Sequence, residues 1–182
     1  MIHTILNILK NQLENYLNSF SKVPEGHTKI GSIPQNNNDA PNKLIISVLN
    51  LERETVMGIG RSFRSNISSD KIIGSYPPWH FNIDFILAAV FEEKQYEQSL
   101  KKLSLAIECL QQHQTFQLST DNYFTIETVN QNIQELTNIW SMFGSKYYPS
   151  IVLKIRMITF NGNEFQSVSY KINQPDVESY KK

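Results

Sequence analysis

With a single cysteine, Cys109, in 182 residues, the chain has no internal disulfide to form and does not need an oxidising compartment to fold. Net charge is missing as well. Seventeen Lys and Arg balance 17 Asp and Glu, so no overall field draws in nucleic acid or an anionic membrane, and neither is expected as a partner. The same balance removes the repulsion that keeps copies apart. No apolar run approaches the roughly 20 residues that span a bilayer. The opening Met-Ile-His-Thr is not a basic stretch ahead of an apolar one, so no secretory leader is expected and synthesis in a cytoplasm fits. Internal repeats are absent too.

What is present is an ordinary core-forming composition, 40% hydrophobic and 19% charged, at a length that suits one domain. Ile2, Ile5, Leu6, Leu9, Leu13, Tyr16, Leu17 and Phe20 recur at helical spacing and predict an amphipathic helix. Residues 21–42, with Pro24, Gly26, Gly31, Pro34, Pro41 and an Asn-rich run, predict a long loop with room for an edge strand at Lys29–Ile33. Lys43–Val56 reads as a strand, apolar on both faces at first and then polar, as a central strand leaving the core would be. Met57–Pro78 reads as a second long connection in which Lys71–Ile73 could pair.

From Trp79 the residues Phe81, Ile83, Phe85, Leu87, Ala89 and Phe91 fall on one face of a strand opposite His80, Asn82 and Asp84. Glu92 and Glu93 suit the positive end of the helix that follows, whose apolar stripe is Tyr96, Leu100, Leu103, Ile107 and Leu110. Asn122–Val129 predicts a short strand, Gln131–Phe143 a third helix capped by Gly144, and Ile151–Met157 a final strand started by Pro149. The sum is α+β: two layers, with a mixed, mainly antiparallel sheet of four or more strands packed by three amphipathic helices. One domain over residues 1–162 is expected, with a polar arm over 163–182.

Chemistry-bearing patterns are sparse. Gly58-Ile59-Gly60 lacks the third glycine and the helix of a dinucleotide fingerprint. Cys109 and His113 share a helical spacing that suits a metal but have no companions, and Cys109 has no local base to make it a nucleophile. Asp84, on the polar side of the aromatic strand, is read as solvated or intersubunit. Arg61, Arg64 and Lys71 make the middle loop mildly basic, and the stripe from Trp79 reads as core ahead of a ligand pocket. No catalytic residue, cofactor or metal is expected.

Three blocks cease to be generic when taken together: Pro77-Pro78-Trp79-His80-Phe81-Asn82; Tyr96-Glu97-Gln98-Ser99-Leu100 through Gln112-His113-Gln114-Thr115-Phe116; and Asn138 through Ser150. They resemble a small bacterial family, the cap or tube-terminator proteins of phage-tail-like contractile injection particles of the antifeeding-prophage and virulence-cassette type. In the last block Leu136, Trp140, Gly144, Lys146, Tyr147, Pro149 and Ser150 match the family's pattern, and Phe143 stands where leucine is usual. The resemblance extends over roughly residues 1 to 160, and only its last block is specific.

The resemblance implies a non-catalytic subunit, made in the bacterial cytoplasm and incorporated into a contractile particle. It implies a homohexameric ring on the end of the inner tube that stops tube growth and contacts the last sheath ring. Full-length members can carry a further C-terminal domain. Lys146, Tyr147 and Tyr148, with Arg61 and Arg64, are the candidates for subunit contacts, although Tyr147 also suits a core. Trp140, Gly144, Pro149 and Trp79 are read as structural. Two rivals stand beside this reading: a baseplate or adaptor subunit of the same particle, and a small ligand-binding or enzyme domain that uses His80 or Asp84 under the Trp79 strand. Because little apolar surface lies beyond Gln174, deleting residues 174–182 should leave the thermal transition in place, and a collapsed transition would contradict this.

Overall fold

The computed structural model describes residues 1–21, 26–35, 40–54, 62–65, 72–75, 78–119, 122–160 and 164–167. The chain divides into two compact units, Met1–Arg53 with Phe81–Ile158, and Glu54–His80 with Thr159–Lys182. The sequence led us to expect one domain with a trailing arm. β9 (Glu164–Ser167), which falls within that expected arm, pairs antiparallel with β4 (Ile72–Ser75). β4 also pairs with β3 (Ser62–Ser65), giving a three-stranded sheet in the order β3-β4-β9. Gly58–Gly60 and Lys71 lie outside the described residues.

The first unit is built on a six-stranded sheet in the order β1-β2-β5-β8-β7-β6. Its strands are β1 (Thr28–Ile30), β2 (Lys43–Glu54), β5 (Trp79–Val90), β6 (Thr115–Ser119), β7 (Asn122–Thr128) and β8 (Ser150–Phe160). The helices are α1 (Ile2–Phe20), α2 (Tyr96–Gln112) and α3 (Ile133–Phe143). β1 runs parallel to β2, with Lys29 opposite Ile45, while β7 runs antiparallel to both β6 and β8. The sheet is therefore mixed, as expected. β6 was not anticipated: its Thr-Phe-Gln-Leu-Ser run is too short to show a period.

Every residue from Phe85 to Phe91 is buried. Ile86, Ala88 and Val90 pack with Ile45, Val152 and Trp140 of α3. By strand alternation Phe85, Leu87 and Ala89 face the other way, toward the buried stripes of α1 and α2, which pack on each other. Both faces of this part of β5 are thus covered. The strand's polar alternation ends at Asp84, and its first residue, Trp79, is 51% exposed instead of lying in the core.

α1 buries Ile5, Leu6, Leu9, Leu13 and Leu17, the stripe its sequence predicts. On α2 the buried stripe is Ser99, Leu103, Ala106, Cys109 and Leu110, rotated from the expected one, and Tyr96, Leu100 and Ile107 are exposed. The small side chains Ser99, Ala106 and Cys109 allow the close helix approach that bulkier residues would hold apart. The Cys109 thiol lies 4.0 Å from the Gln12 carbonyl, and burial pushes its pKa up to about 11.

The start of β1 is held by one carboxylate. Glu14 of α1 accepts the backbone N–H groups of His27 (2.7 Å) and Thr28 (2.9 Å) and the Thr28 hydroxyl. Burial alone would raise the Glu14 pKa, but these donors and the His27 imidazole outweigh it and hold the carboxyl below its ordinary 4.5. A carboxyl whose pKa falls on folding stabilises the fold above its unfolded pKa and loses that contribution as pH drops through the folded value. Glu14→Ala should therefore cost roughly 1–3 kcal/mol at neutral pH. In thermal unfolding followed against pH, the gap between wild type and variant should close on acidification below 4.5; a gap independent of pH would show that the carboxylate is not what holds β1.

Candidate functional site

The block that carries the family resemblance folds as α3 and the turn into β8. Asn132 opens α3 with a reciprocal cap: its side chain accepts the Glu135 N–H at 2.9 Å, and Glu135 accepts the Asn132 N–H at 2.9 Å. Only Glu135 among the α3 residues is charged, and the cap uses it. Asn132 and Glu135 stand three apart ahead of an apolar run, a start signal legible in the sequence that our reading from Gln131 did not use.

Trp140 is the one fully buried residue of α3 and packs among Ile33, Ile45, Ile86, Val90, Tyr148 and Val152. The rings of Phe143, Tyr147 and Tyr148 surround it at centroid distances of 5.9, 5.6 and 5.8 Å. The helix ends at Gly144, whose φ of 61° is the left-handed conformation that favours glycine. A Cβ there would meet the Gln35 side chain at 3.4 Å. The Ser145 hydroxyl donates to the Pro34 carbonyl at 3.0 Å, so the segment before β2 is latched to this turn. Pro149 is buried, and its carbonyl accepts the Ala89 N–H at 2.8 Å, joining the turn to β5.

The predicted contact residues separate here. Tyr148 is only 4% exposed and belongs to the core cluster, and burial raises its hydroxyl pKa. It is not available as a surface contact. The sequence could not distinguish it from its neighbour because two consecutive tyrosines in a turn carry no period. Tyr147 is 56% exposed while its ring rests edge-on against Trp140. Lys146 is exposed and bridges to Glu93 at 2.8 Å, a surface pair worth about 0–1 kcal/mol. Arg64 lies in β3 opposite Ile73; Arg61 is outside the described residues.

α3 leaves Ile133 and Met142 85% and 75% exposed. The hydroxyls of Thr137 and Ser141 donate to the helix's own carbonyls at Ile133 and Thr137, each at 2.8 Å. Along this side an open groove of about 390 Å³ is lined by Ile133, Leu136, Trp140, Gly144 and Tyr147. A second depression, of about 360 Å³, lies between α2 and β7–β8, with Ile107, Leu110, Ile126 and Leu153 beneath Gln111 and Gln114. Both are apolar surfaces suited to packing.

The residues weighed for catalysis are held by neighbours. His80 bonds to Thr159 at 3.0 Å in the second unit. In the first unit Asp84 faces the Lys154 ammonium at 3.5 Å, and Lys154 reaches Glu52 at 2.9 Å. The Glu52 bond, more than the nearby Asp84, raises the Lys154 pKa. Among the described residues no group of three or more His, Cys, Asp or Glu side chains is placed to hold a metal ion.

Residues 4–173 match the family of the Pvc16 N-terminal domain. Comparison with curated proteins returns no match. Among solved structures, the chain is similar to the sheath/tube terminator of the PVC extracellular contractile injection system in its extended state, with a TM-score of 0.69 and 12% identity over 93% of this chain and 59% of that one. It is also similar to the tube-terminating cap of the anti-feeding prophage, with a TM-score of 0.58 and 12% identity over 92% and 58% of the two chains. The chain thus spans less than two thirds of either relative, and at such identity the likeness shows the shared α+β fold.

Trp140→Ala should destabilise the protein by about 3–5 kcal/mol, because it empties the centre of a buried cluster. Gly144→Ala should cost about 1 kcal/mol through strain at positive φ. Tyr147→Ala should cost less than Trp140→Ala, as its ring is half in water. Denaturant titration of the three variants checks the order; a Tyr147 variant as damaged as the Trp140 one would place Tyr147 in the core.

Proposed function

The chain belongs to the Pvc16 N-terminal domain family, and from that premise we propose that it is a structural cap: a subunit that forms a ring on the end of the inner tube of a contractile injection particle and ends its growth. The observation that carries this reading is the fold shared over 93% of the chain with a sheath/tube terminator, together with the family match over residues 4–173. The partners on this reading are further copies of the chain, the tube protein and the terminal sheath ring. Its work is done by shape and interface, without a reaction.

The site geometry supports such a role. The α3 turn presents Tyr147 and Lys146 outward from a rigid base of Trp140, Tyr148 and Pro149, so contact groups are positioned by the core rather than by a free loop. The exposed apolar residues Ile133 and Met142 extend that surface. We propose Lys146 and Tyr147 as subunit contacts, and Arg61 and Arg64 as a separate contact candidate. Tyr148 acts beneath them as support.

Light scattering of the purified chain over a range of concentrations, repeated with isolated tube and sheath subunits, tests the proposal. A hexamer, or a monomer recruited as a ring onto tube ends with tubes of fixed length, is the expected outcome; a monomer that ignores both partners overturns it. A Lys146→Glu, Tyr147→Ala double variant should keep its fold and lose tube-end occupancy by about tenfold or more. Normal occupancy by that variant would move the contact elsewhere and leave the cap reading standing.

A further inference from the structure

The six-stranded sheet is open, and its two edges are treated differently. At the β1 edge the parallel register turns Thr28 away from β2, and Glu14 takes up its N–H, so a carboxylate occupies the first donor that an added strand would need. Among the described residues no side-chain carboxylate takes up the β6 backbone, although α1 also comes near this strand. Its five residues, Thr-Phe-Gln-Leu-Ser, contain no charge and no proline, the two residue types that most often guard an edge.

The register fixes which groups β6 offers. Ile126 N–H donates to the Gln114 carbonyl at 2.8 Å, and Thr115 faces Thr125, Phe116 faces Phe124 and Gln117 faces Tyr123. In an antiparallel pair, bonded and non-bonded positions alternate, so Gln114 and Phe116 bond toward β7 while Thr115 and Gln117 turn their N–H and C=O groups outward. Those outward groups have no hydrogen-bond partner among the described residues. The register shift between Gln117 and Ser119 ends the regular edge, so the added segment is short, about four residues. Phe116, buried and stacked on Phe124 at 5.2 Å, calls for one apolar side chain beside it, with polar residues on either side.

We infer that the outward edge of β6 receives an outer strand of the three-stranded sheet, β3 or β9, from a second copy of this chain. Those outer strands read Ser-Phe-Arg-Ser and Glu-Phe-Gln-Ser, each four residues long with a single apolar residue between polar ones. Zero net charge leaves no general repulsion between copies. Joining unlike edges makes a head-to-tail contact, the kind that closes into a ring, whereas β6 against β6 makes a closed dimer. The inference rests on the ring reading given above and names the surface that builds the ring.

Hydrogen exchange on the full chain, free and assembled on tube ends, tests it. Exchange over residues 115–119 should slow by about tenfold or more on assembly, with matching protection over 62–65 or 164–167. Gln117→Pro removes an outward N–H and no β6–β7 bond, so it should keep its thermal transition and require about tenfold more protein to assemble. Rings that form with 115–119 unprotected overturn the inference and leave the cap reading intact. Protection of 115–119 without protection of either outer strand, or in a dimer only, overturns it by naming a different occupant. Failure of the wild-type chain to form rings with or without tube overturns both. If Gln117→Pro does not fold, the exchange data on the wild type decide alone.

Discussion

The first unit depends on a strand that water cannot face on either side. From Phe85 to Phe91 every side chain is apolar, and each residue added in extended form points to alternate faces, so both faces must be covered. That places β5 inside the sheet, between β2 and β8, and calls for helices on both faces. α3 meets one face through Trp140, and the small-residue stripe of α2 lets α1 and α2 pack closely over the other. Where β5 starts, beyond this covered stretch, polar alternation returns and Trp79 meets solvent.

Trp140 converts that packing into a defined surface. A large ring seated among β-branched and aromatic neighbours fixes where α3 ends, Gly144 supplies the sharp exit, and Pro149 returns the chain to hydrogen bonds with β5. Of the residues between, Lys146 and Tyr147 are held from below and exposed above. A contact surface arranged this way loses little conformational freedom on association. Such an arrangement suits a protein whose proposed work is to fit other subunits.

The same economy is visible at the sheet edges. Glu14 satisfies the outward N–H of Thr28 at one edge, and it does so from a helix, with its carboxyl kept ionised by the donors it serves. The other edge is left with outward backbone groups and an apolar inner face. Edge protection on one side only gives a subunit a direction, which a closed ring of identical copies requires.

The α+β class, the three helices, the long strands β2, β5 and β8 and the glycine cap after α3 were all legible in the sequence, because each rests on local periodicity or on a residue with a fixed backbone preference. The Asn138–Ser150 block also pointed to the family, since its residue types and spacings are too particular to recur by composition. Local pattern could not decide which side of α2 faces inward, because buried Ser99, Ala106 and Cys109 win their places by being small, a matter of how near α1 comes. Nor could it separate Tyr147 from Tyr148, join β9 to β4 across the chain, or reveal β6 and the carboxylate clamp on β1. Those features depend on residues far apart in sequence meeting in space, and only the tertiary structure decides which of them meet.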